Sequence, residues 1–226
     1  MTVLAATESS HLQLWRLLSP QLPIGAYSYS TGLEAAVEAG WVTDEASAYA
    51  WSSGILNHSL AQGDIPILAR CYRAWQIPDF EQVVSWSRLL LALRESRELR
   101  LEDQQLGQAL RKLLLPEIPA LAAVAPPDCS YAALFAAACV QAAIPLSLSA
   151  HGLAFAWCEN QVSAAIKLIP LGQTAGQRIL SRLLADIPGC ITHGLQVETA
   201  DIGMTLPGLA MGSAWHETQY SRLFRS

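Results

Sequence analysis

Charged residues are scarce in this chain. Of its 226 residues, 14 are Lys or Arg and 19 are Asp or Glu, which gives a formal net charge of −5. Because there is no basic stripe to neutralise phosphates, the composition argues against sequence-independent binding to nucleic acid or to an anionic membrane. Hydrophobic residues make up 52% of the chain, so we expect a folded globular protein and not a disordered one.

Long uninterrupted apolar runs and export signals are also lacking. Residues 132–157 are very apolar, but Gln141, Pro145 and His151 interrupt them, and the remaining runs fit buried helices better than a membrane span. Residues 1–10 contain no Lys or Arg and no long apolar run, unlike a secretory signal. An odd number of irregularly spaced cysteines, 5 in all, fits free thiols in a reducing compartment. These features predict a cytoplasmic protein.

Strand patterns are absent too. No β-branched alternation occurs, and no Asn-Gly or Asp-Gly turn separates two alternating runs. Apolar residues recur at helical spacing instead, which predicts an all-α, single-domain bundle of about ten helices over residues 1–226. Flexible ends are expected at residues 1–10 and in a C-terminal tail at 218–226. Gly63-Asp64 is predicted to separate neighbouring helices. A second boundary, around Pro188, is predicted between a helix over residues 172–185 and one over roughly residues 189–203.

The charge-rich stretch from about Ser96 to Leu114 is predicted to form one long helix. Glu98 and Glu102, with interleaved arginines, indicate a solvated face opposite a leucine stripe. An alternative is that the carboxylates of residues 95–103 hold a metal in a helical enzyme that acts on a phosphorylated substrate. No Asp-Asp-x-x-Asp motif supports that alternative.

Motifs for catalysis or metal binding are missing from the rest of the chain. The run from Gly172 to Gln177 lacks the lysine and the glycine spacing of a phosphate-binding loop, and no Gly-x-Ser-x-Gly elbow occurs. Cys190 and His193 supply half a metal site at best. We therefore predict no catalytic residue, no metal ligand and no cofactor, and the pattern favours an interaction protein over an enzyme.

The most distinctive stretch is residues 19–34, in which two prolines, two glycines and two tyrosines interrupt helical patterns. The prolines predict a rigid non-helical loop that presents Tyr27 and Tyr29. These phenols either form a partner surface or plug the core. Ser30 or Thr31 is the predicted N-cap of the next helix, with Glu34 as the capping-box partner.

Several of these stretches resemble the UreF family of urease accessory proteins. The resemblance lies in residues 22–34 and 37–42, in 95–100 with 105–107, in 171–177 and in the tail at 221–224. It covers nearly the whole chain in order.

The resemblance implies an all-α homodimer without enzymatic activity that acts in urease maturation. Such a protein bridges UreD (called UreH in some organisms) and the GTPase UreG in the complex that inserts nickel into the urease apoprotein, and it modulates GTP hydrolysis. Nickel and GTP are handled by the partners. A rival form of this hypothesis is that the chain stimulates UreG with an arginine finger, Arg222 or Arg225.

The resemblance also implies which residues contact partners. These are Tyr27 in the loop, Lys167 as a basic interface position and Arg222 in a tail that becomes ordered on binding. From the residues themselves, the tail contains two arginines and two apolar side chains at a terminus, so it could fold on a partner with an arginine meeting an acidic group. The full predicted partner-binding set is Tyr27, Tyr29, Lys167, Arg222, Leu223, Phe224 and Arg225.

Overall fold

The prediction of an all-α fold is confirmed. A computed structural model of the protein describes residues 3–203 and 205–226, and in those residues it contains α-helices, short 3-10 turns and one π-helix but no strand. The α-helices are α1 (Val3–Leu18), α2 (Leu33–Glu38), α3 (Glu45–Gly54), α4 (Ile65–Gln76), α5 (Phe80–Ala92), α6 (Arg97–Leu114), α7 (Tyr131–Gln141), α8 (Leu146–Leu168), α9 (Gln173–Gln196) and α10 (Pro207–His216). Within that described part, no helix is long and apolar enough to cross a membrane.

The centre of the bundle is formed by α4 and α7. Helix α4 packs against α5, α7, α8 and α9, and every residue of α7 from Ala132 to Cys139 is buried. Small alanine side chains on α7 let the helix axes approach closely, which buries apolar area on all sides of the helix. The apolar stretch that could be mistaken for a membrane span is therefore core.

The predicted break at Gly63-Asp64 is wrong. Residues Ile55–Asp64 form a π-helix that joins α3 to α4 without interruption. A π-helix is a rare, wider coil in which hydrogen bonds join residues five apart, and neighbouring elements contact its backbone carbonyls. Leu56 O accepts from the Cys190 thiol at 3.3 Å, and Gln62 O accepts from the Gly203 N–H at 2.9 Å.

The predicted break at Pro188 is also wrong, since α9 continues through it. A proline inside a helix removes one hydrogen bond and crowds the preceding turn. Helix α9 nevertheless buries Ile187, Cys190 and Ile191 on the flanking turns. Gly194 then lies so close to the π-helix that a Cβ there would be 2.8 Å from Ala61 O. Tertiary packing outweighs the local cost of the proline.

Candidate functional site

The loop before α2 has the rigid, non-helical form that its prolines predict. Residues 19–25 form turns, and Ala26–Ser28 form a single 3-10 turn. Gly25, Thr31 and Gly32 all have positive φ, at 79°, 53° and 76°. For a β-branched residue such as Thr31 this conformation is strained. Gly32, and not Ser30 or Thr31, occupies the N-cap position of α2. The Ser30 hydroxyl nevertheless accepts from the Glu34 N–H in the first turn of α2 at 3.2 Å, so the predicted side-chain capping by Ser30 is confirmed from a position two residues earlier.

The two loop tyrosines have different environments. Tyr29 is buried, and its hydroxyl donates to Gln105 on α6, as expected for a core plug. Tyr27 is half-buried and donates to Glu159 on α8. The amide of Asn160 donates to Tyr29 O at 3.1 Å. The loop is thereby fixed to both α6 and α8.

The C-terminal tail lies against this loop. The Arg225 N–H donates to Ser28 O at 2.9 Å, and the Ser30 N–H donates to Ser226 O at 3.0 Å. We call residues 27–34 together with tail residues 222–226 and the side chains that hold them the loop–tail site. Residues from near both ends of the chain therefore form one surface.

Glu34 on α2 is the main receptor for the tail backbone. Its Oε1 accepts from the Leu223 N–H at 2.6 Å and its Oε2 from the Phe224 N–H at 2.8 Å. Glu34 is buried, and hydrogen bonds to a buried carboxylate are stronger than those between neutral groups. One carboxylate therefore fixes two consecutive peptide groups.

Glu98 on α6 holds the side chain of Arg222. Glu98 Oε1 accepts from Arg222 Nη1 at 2.6 Å, and its other oxygen lies 2.6 Å from Nδ1 of His216. His216 is fully buried at the end of α10, and its Nε2 lies 3.1 Å from Glu34 Oε2. The histidine thus bridges the two carboxylates that receive the tail.

Glu102, one turn further along α6, holds the end of the tail. Its Oε2 accepts from the Ser226 hydroxyl at 2.6 Å and its Oε1 from the Thr31 hydroxyl at 3.1 Å. Burial raises the pKa of this carboxyl to about 7, because desolvation outweighs the hydrogen bonds that favour the charged form.

Phe224 provides the apolar anchor of the tail. Its ring is buried, and Lys167 Nζ on α8 lies 5.4 Å from the ring centroid. This cation–π contact places the predicted basic interface position beside the predicted tail. Lys167 itself is exposed.

The structure therefore brings the predicted partner-binding residues to one region, in which Tyr29 and Phe224 are buried and the others are partly or fully exposed. Sequence reasoning missed the groups that hold them. The expected solvated face of α6 at Glu98 and Glu102 is wrong, because both side chains point into the loop–tail site. Glu34 accepts hydrogen bonds from the tail backbone and does not form the predicted capping box. The sequence patterns give no role to His216.

The carboxylates proposed for a metal-dependent enzyme are mostly engaged with protein groups. Asp103 is buried. It accepts hydrogen bonds from Arg94 Nε at 2.9 Å and from the Tyr131 N–H at 2.6 Å. Arg94 also donates to Asp64, at 2.6 Å and 3.1 Å. The cavity beside them measures about 80 Å³, which is small for a phosphorylated substrate. Among the described residues, no group of three potential ligands is arranged to hold a metal.

Two other sequence features have structural explanations. Cys190 is buried whereas His193 is exposed, so their side chains do not face a common site. At Gly176 a Cβ would lie 2.3 Å from Ile166 Cδ1. That glycine allows α9 to pack closely on α8, as expected for a glycine without a phosphate-binding role.

The fold and the loop–tail site define an all-α protein whose own C-terminal tail is held by side chains of α2, α6 and α8. Residues 42–184 match the family model described as UreF. A protein named urease accessory protein UreF from Alkalilimnicola ehrlichii is 52% identical over 218 residues, which cover 95% of each chain. Proteins of the same name from Pseudomonas putida and Chromohalobacter salexigens are 47% and 45% identical, over 95% and 94% of this chain and 97% and 93% of their own. The chain belongs to the UreF family of urease accessory proteins.

Proposed function

We propose that this chain acts in urease maturation as a scaffold without catalytic activity, and that its loop–tail site contacts partner proteins. The partners we propose are UreD/UreH and the GTPase UreG, in a complex that acts on the urease apoprotein and inserts nickel. Family membership supports the role in urease maturation. The choice of partners rests on the resemblance described above and on the geometry of the tail.

The observation that carries the proposal is the alternation of side chains along the tail. The tail bends at residues 223 and 224, and its side chains alternate between buried and exposed positions. Phe224 and Ser226 are buried, whereas Leu223 is 63% exposed and Arg225 is exposed. One side of the tail is therefore held by the protein, and the other side presents an apolar and a cationic group to solvent. An exposed apolar residue on a fixed backbone is well suited to contact a partner.

Co-purification of purified components tests this surface. We expect Leu223→Asp to abolish capture of UreG by a mixture of this chain and UreD/UreH, because the substitution places a charge in the proposed interface without removing a contact that holds the tail. The matched control is Ile77→Asp, at a residue that follows α4 and is 73% exposed. Normal capture by Leu223→Asp together with Arg225→Gln would overturn the assignment of this surface.

The effect on GTP hydrolysis is tested separately. Arg222 is paired with Glu98, whereas the Arg225 side chain is exposed. An arginine finger would have to be Arg225 or an Arg222 released from its pair. We propose that the chain modulates UreG, and multiple-turnover hydrolysis with the wild type, Arg222→Gln and Arg225→Gln determines the sign. A rate equal to that of UreG alone in all three would contradict modulation.

Homodimer formation is also proposed, and two exposed apolar patches are candidates for the interface. Leu12 and Trp15 on α1 are 60% and 64% exposed. The rings of Trp41 and Trp215 are tilted by 50° with their centroids 5.1 Å apart, and the two residues are 40% and 47% exposed. Light scattering after size-exclusion chromatography of Trp15→Glu and Trp215→Glu identifies the patch whose loss gives a monomer. A wild-type monomer at all concentrations would contradict the dimer.

A further inference from the structure

The fully buried histidine of the loop–tail site has an unusual pair of neighbours. His216 Nδ1 lies 2.6 Å from Glu98 Oε2, and Nε2 lies 3.1 Å from Glu34 Oε2. Both ring nitrogens therefore face carboxylate oxygens at hydrogen-bond distance. Neither nitrogen is in contact with solvent, since His216 is 0% exposed.

This geometry requires one more proton than a neutral imidazole and two ionised carboxylates supply, and that proton lies either on the ring or on one of the carboxyls. A neutral imidazole has one N–H donor and one bare nitrogen, which is an acceptor. With two ionised carboxylates, one contact would then join two acceptors without a hydrogen between them. A histidine protonated on both nitrogens donates to both carboxylates. Its charge, with that of Arg222, also balances the charges of Glu34 and Glu98 inside a desolvated site.

The same two carboxylates hold the tail. Glu34 accepts from the N–H groups of Leu223 and Phe224, and Glu98 pairs with the Arg222 guanidinium. The orientation of each carboxylate is thus shared between the histidine and the tail. If the histidine rotated away, each carboxylate would lose the contact that fixes its orientation.

We propose that His216, with a proton on both ring nitrogens, is the clamp that holds tail residues 222–226 against α2 and α6, and that loss of one of these protons releases the tail. The clamp is a conformational device of this chain and is independent of which protein binds the loop–tail site. It makes the position of the tail depend on proton concentration.

The charged groups around the clamp come from each element packed on it. Glu34 faces His216 from α2, and Glu98 faces it from α6. Arg222 of the tail reaches Glu98, and Glu217, next along the chain, accepts from the Arg97 N–H at 3.0 Å. Glu102 lies at the other end of the tail, and burial raises its pKa to about 7, so its own titration has to be removed in any test of the clamp.

Amide hydrogen exchange of the tail, measured by NMR on the full chain from about pH 6 to about pH 9, tests the clamp. The Glu102→Gln background removes the second titrating group. In that background we expect the protection factors of the Leu223 and Phe224 amides to fall at least about tenfold as the pH rises. Adding His216→Gln should give the low protection at every pH. His193→Gln, at an exposed histidine on α9, is the matched control and should leave the pH profile unchanged.

A second measurement uses the wild type and therefore does not require any variant to fold. Nitrogen-15 shifts of the His216 ring in the wild type report whether one or both nitrogens carry a proton. We expect both to be protonated wherever the tail amides are protected, and one to be lost as protection falls. A ring with a single proton while the tail stays protected would overturn the clamp. So would full protection in a folded His216→Gln variant.

Discussion

Glu102 offers the sharpest test of the electrostatics of the site. The side chain lies on α6 between the Ser226 and Thr31 hydroxyls, and its burial raises the pKa from the ordinary 4.5 to about 7. The substitution Glu102→Gln keeps the shape and an oxygen acceptor but cannot ionise. The amide nitrogen can donate to either hydroxyl, since a hydroxyl also accepts.

The size of the effect on the free energy of unfolding follows from proton linkage. Between pH 4.5 and about 7 the folded wild type holds a proton on Glu102 that the unfolded chain has lost. The contribution of this group to stability is therefore complete below the unfolded pKa and decreases as the pH rises through the folded pKa. Each pH unit in the interval lowers the free energy of unfolding by about 1.4 kcal/mol, or about 3 kcal/mol in all. In Glu102→Gln this decrease is absent.

Urea unfolding followed by tryptophan fluorescence at several values from about pH 5 to about pH 8 measures the effect. The free energy of unfolding of Glu102→Gln, minus that of the wild type, should increase by about 2–3 kcal/mol over this range. Glu117→Gln is the control, because the Arg16 hydrogen bond lowers the pKa of Glu117 and its titration lies below the range. A difference for Glu102→Gln that stays constant with pH would refute an ionisable, desolvated Glu102.

Three further predictions concern the core. Gly107→Ala should lower the free energy of unfolding in urea by about 2 kcal/mol or more, because the new Cβ would lie 2.3 Å from a backbone carbonyl oxygen. The control is Gly54→Ala, whose Cβ would have nothing within 4 Å. That substitution should be neutral or stabilise the protein by up to about 1 kcal/mol. Arg94→Met should destabilise by about 3–5 kcal/mol in the same assay, because two carboxylates lose their common cation in the interior; unchanged stability would contradict this pairing. The native protein should not react with a thiol reagent at pH 8, because all the described cysteines are buried. Burial also raises the pKa of Cys129 to about 11, so its thiol stays protonated. Rapid labelling without denaturant would contradict this prediction.

The fold class could be predicted from the sequence because helical periodicity and proline placement are local signals. They identify α6 closely, since the helix predicted from about Ser96 to Leu114 is observed as Arg97–Leu114. The same local rules fail at the π-helix of residues 55–64 and at Pro188. In both places the compensating contacts come from residues more than a hundred positions away in the chain, so a window along the sequence does not contain them.

The loop–tail site was predictable only in part for a related reason. The loop and the tail are recognisable segments, and both lie at the site. The groups that join them are Glu34, Glu98 and Glu102, and sequence patterns predict that carboxylates on helices face solvent. Their burial depends on a tail that supplies two peptide N–H groups, a guanidinium and a hydroxyl from residues 222–226. The sequences of α2 and α6 do not include these donors, so they give no sign that the carboxylates are buried.

The tail supplies the donors to Glu34 in this structure and contacts partners in the function proposed above, and a truncation would not separate these two roles. Removing residues 218–226 would delete the outward residues Leu223 and Arg225, and it would also leave Glu34 without its two backbone donors in a buried position. A buried carboxylate that loses its donors costs free energy or takes up a proton. Loss of partner binding after truncation would therefore be equally consistent with a rearranged α2–α6 face. Substitutions confined to the outward side of the tail keep every inward contact, so a loss of binding in those variants reports on the partner surface itself.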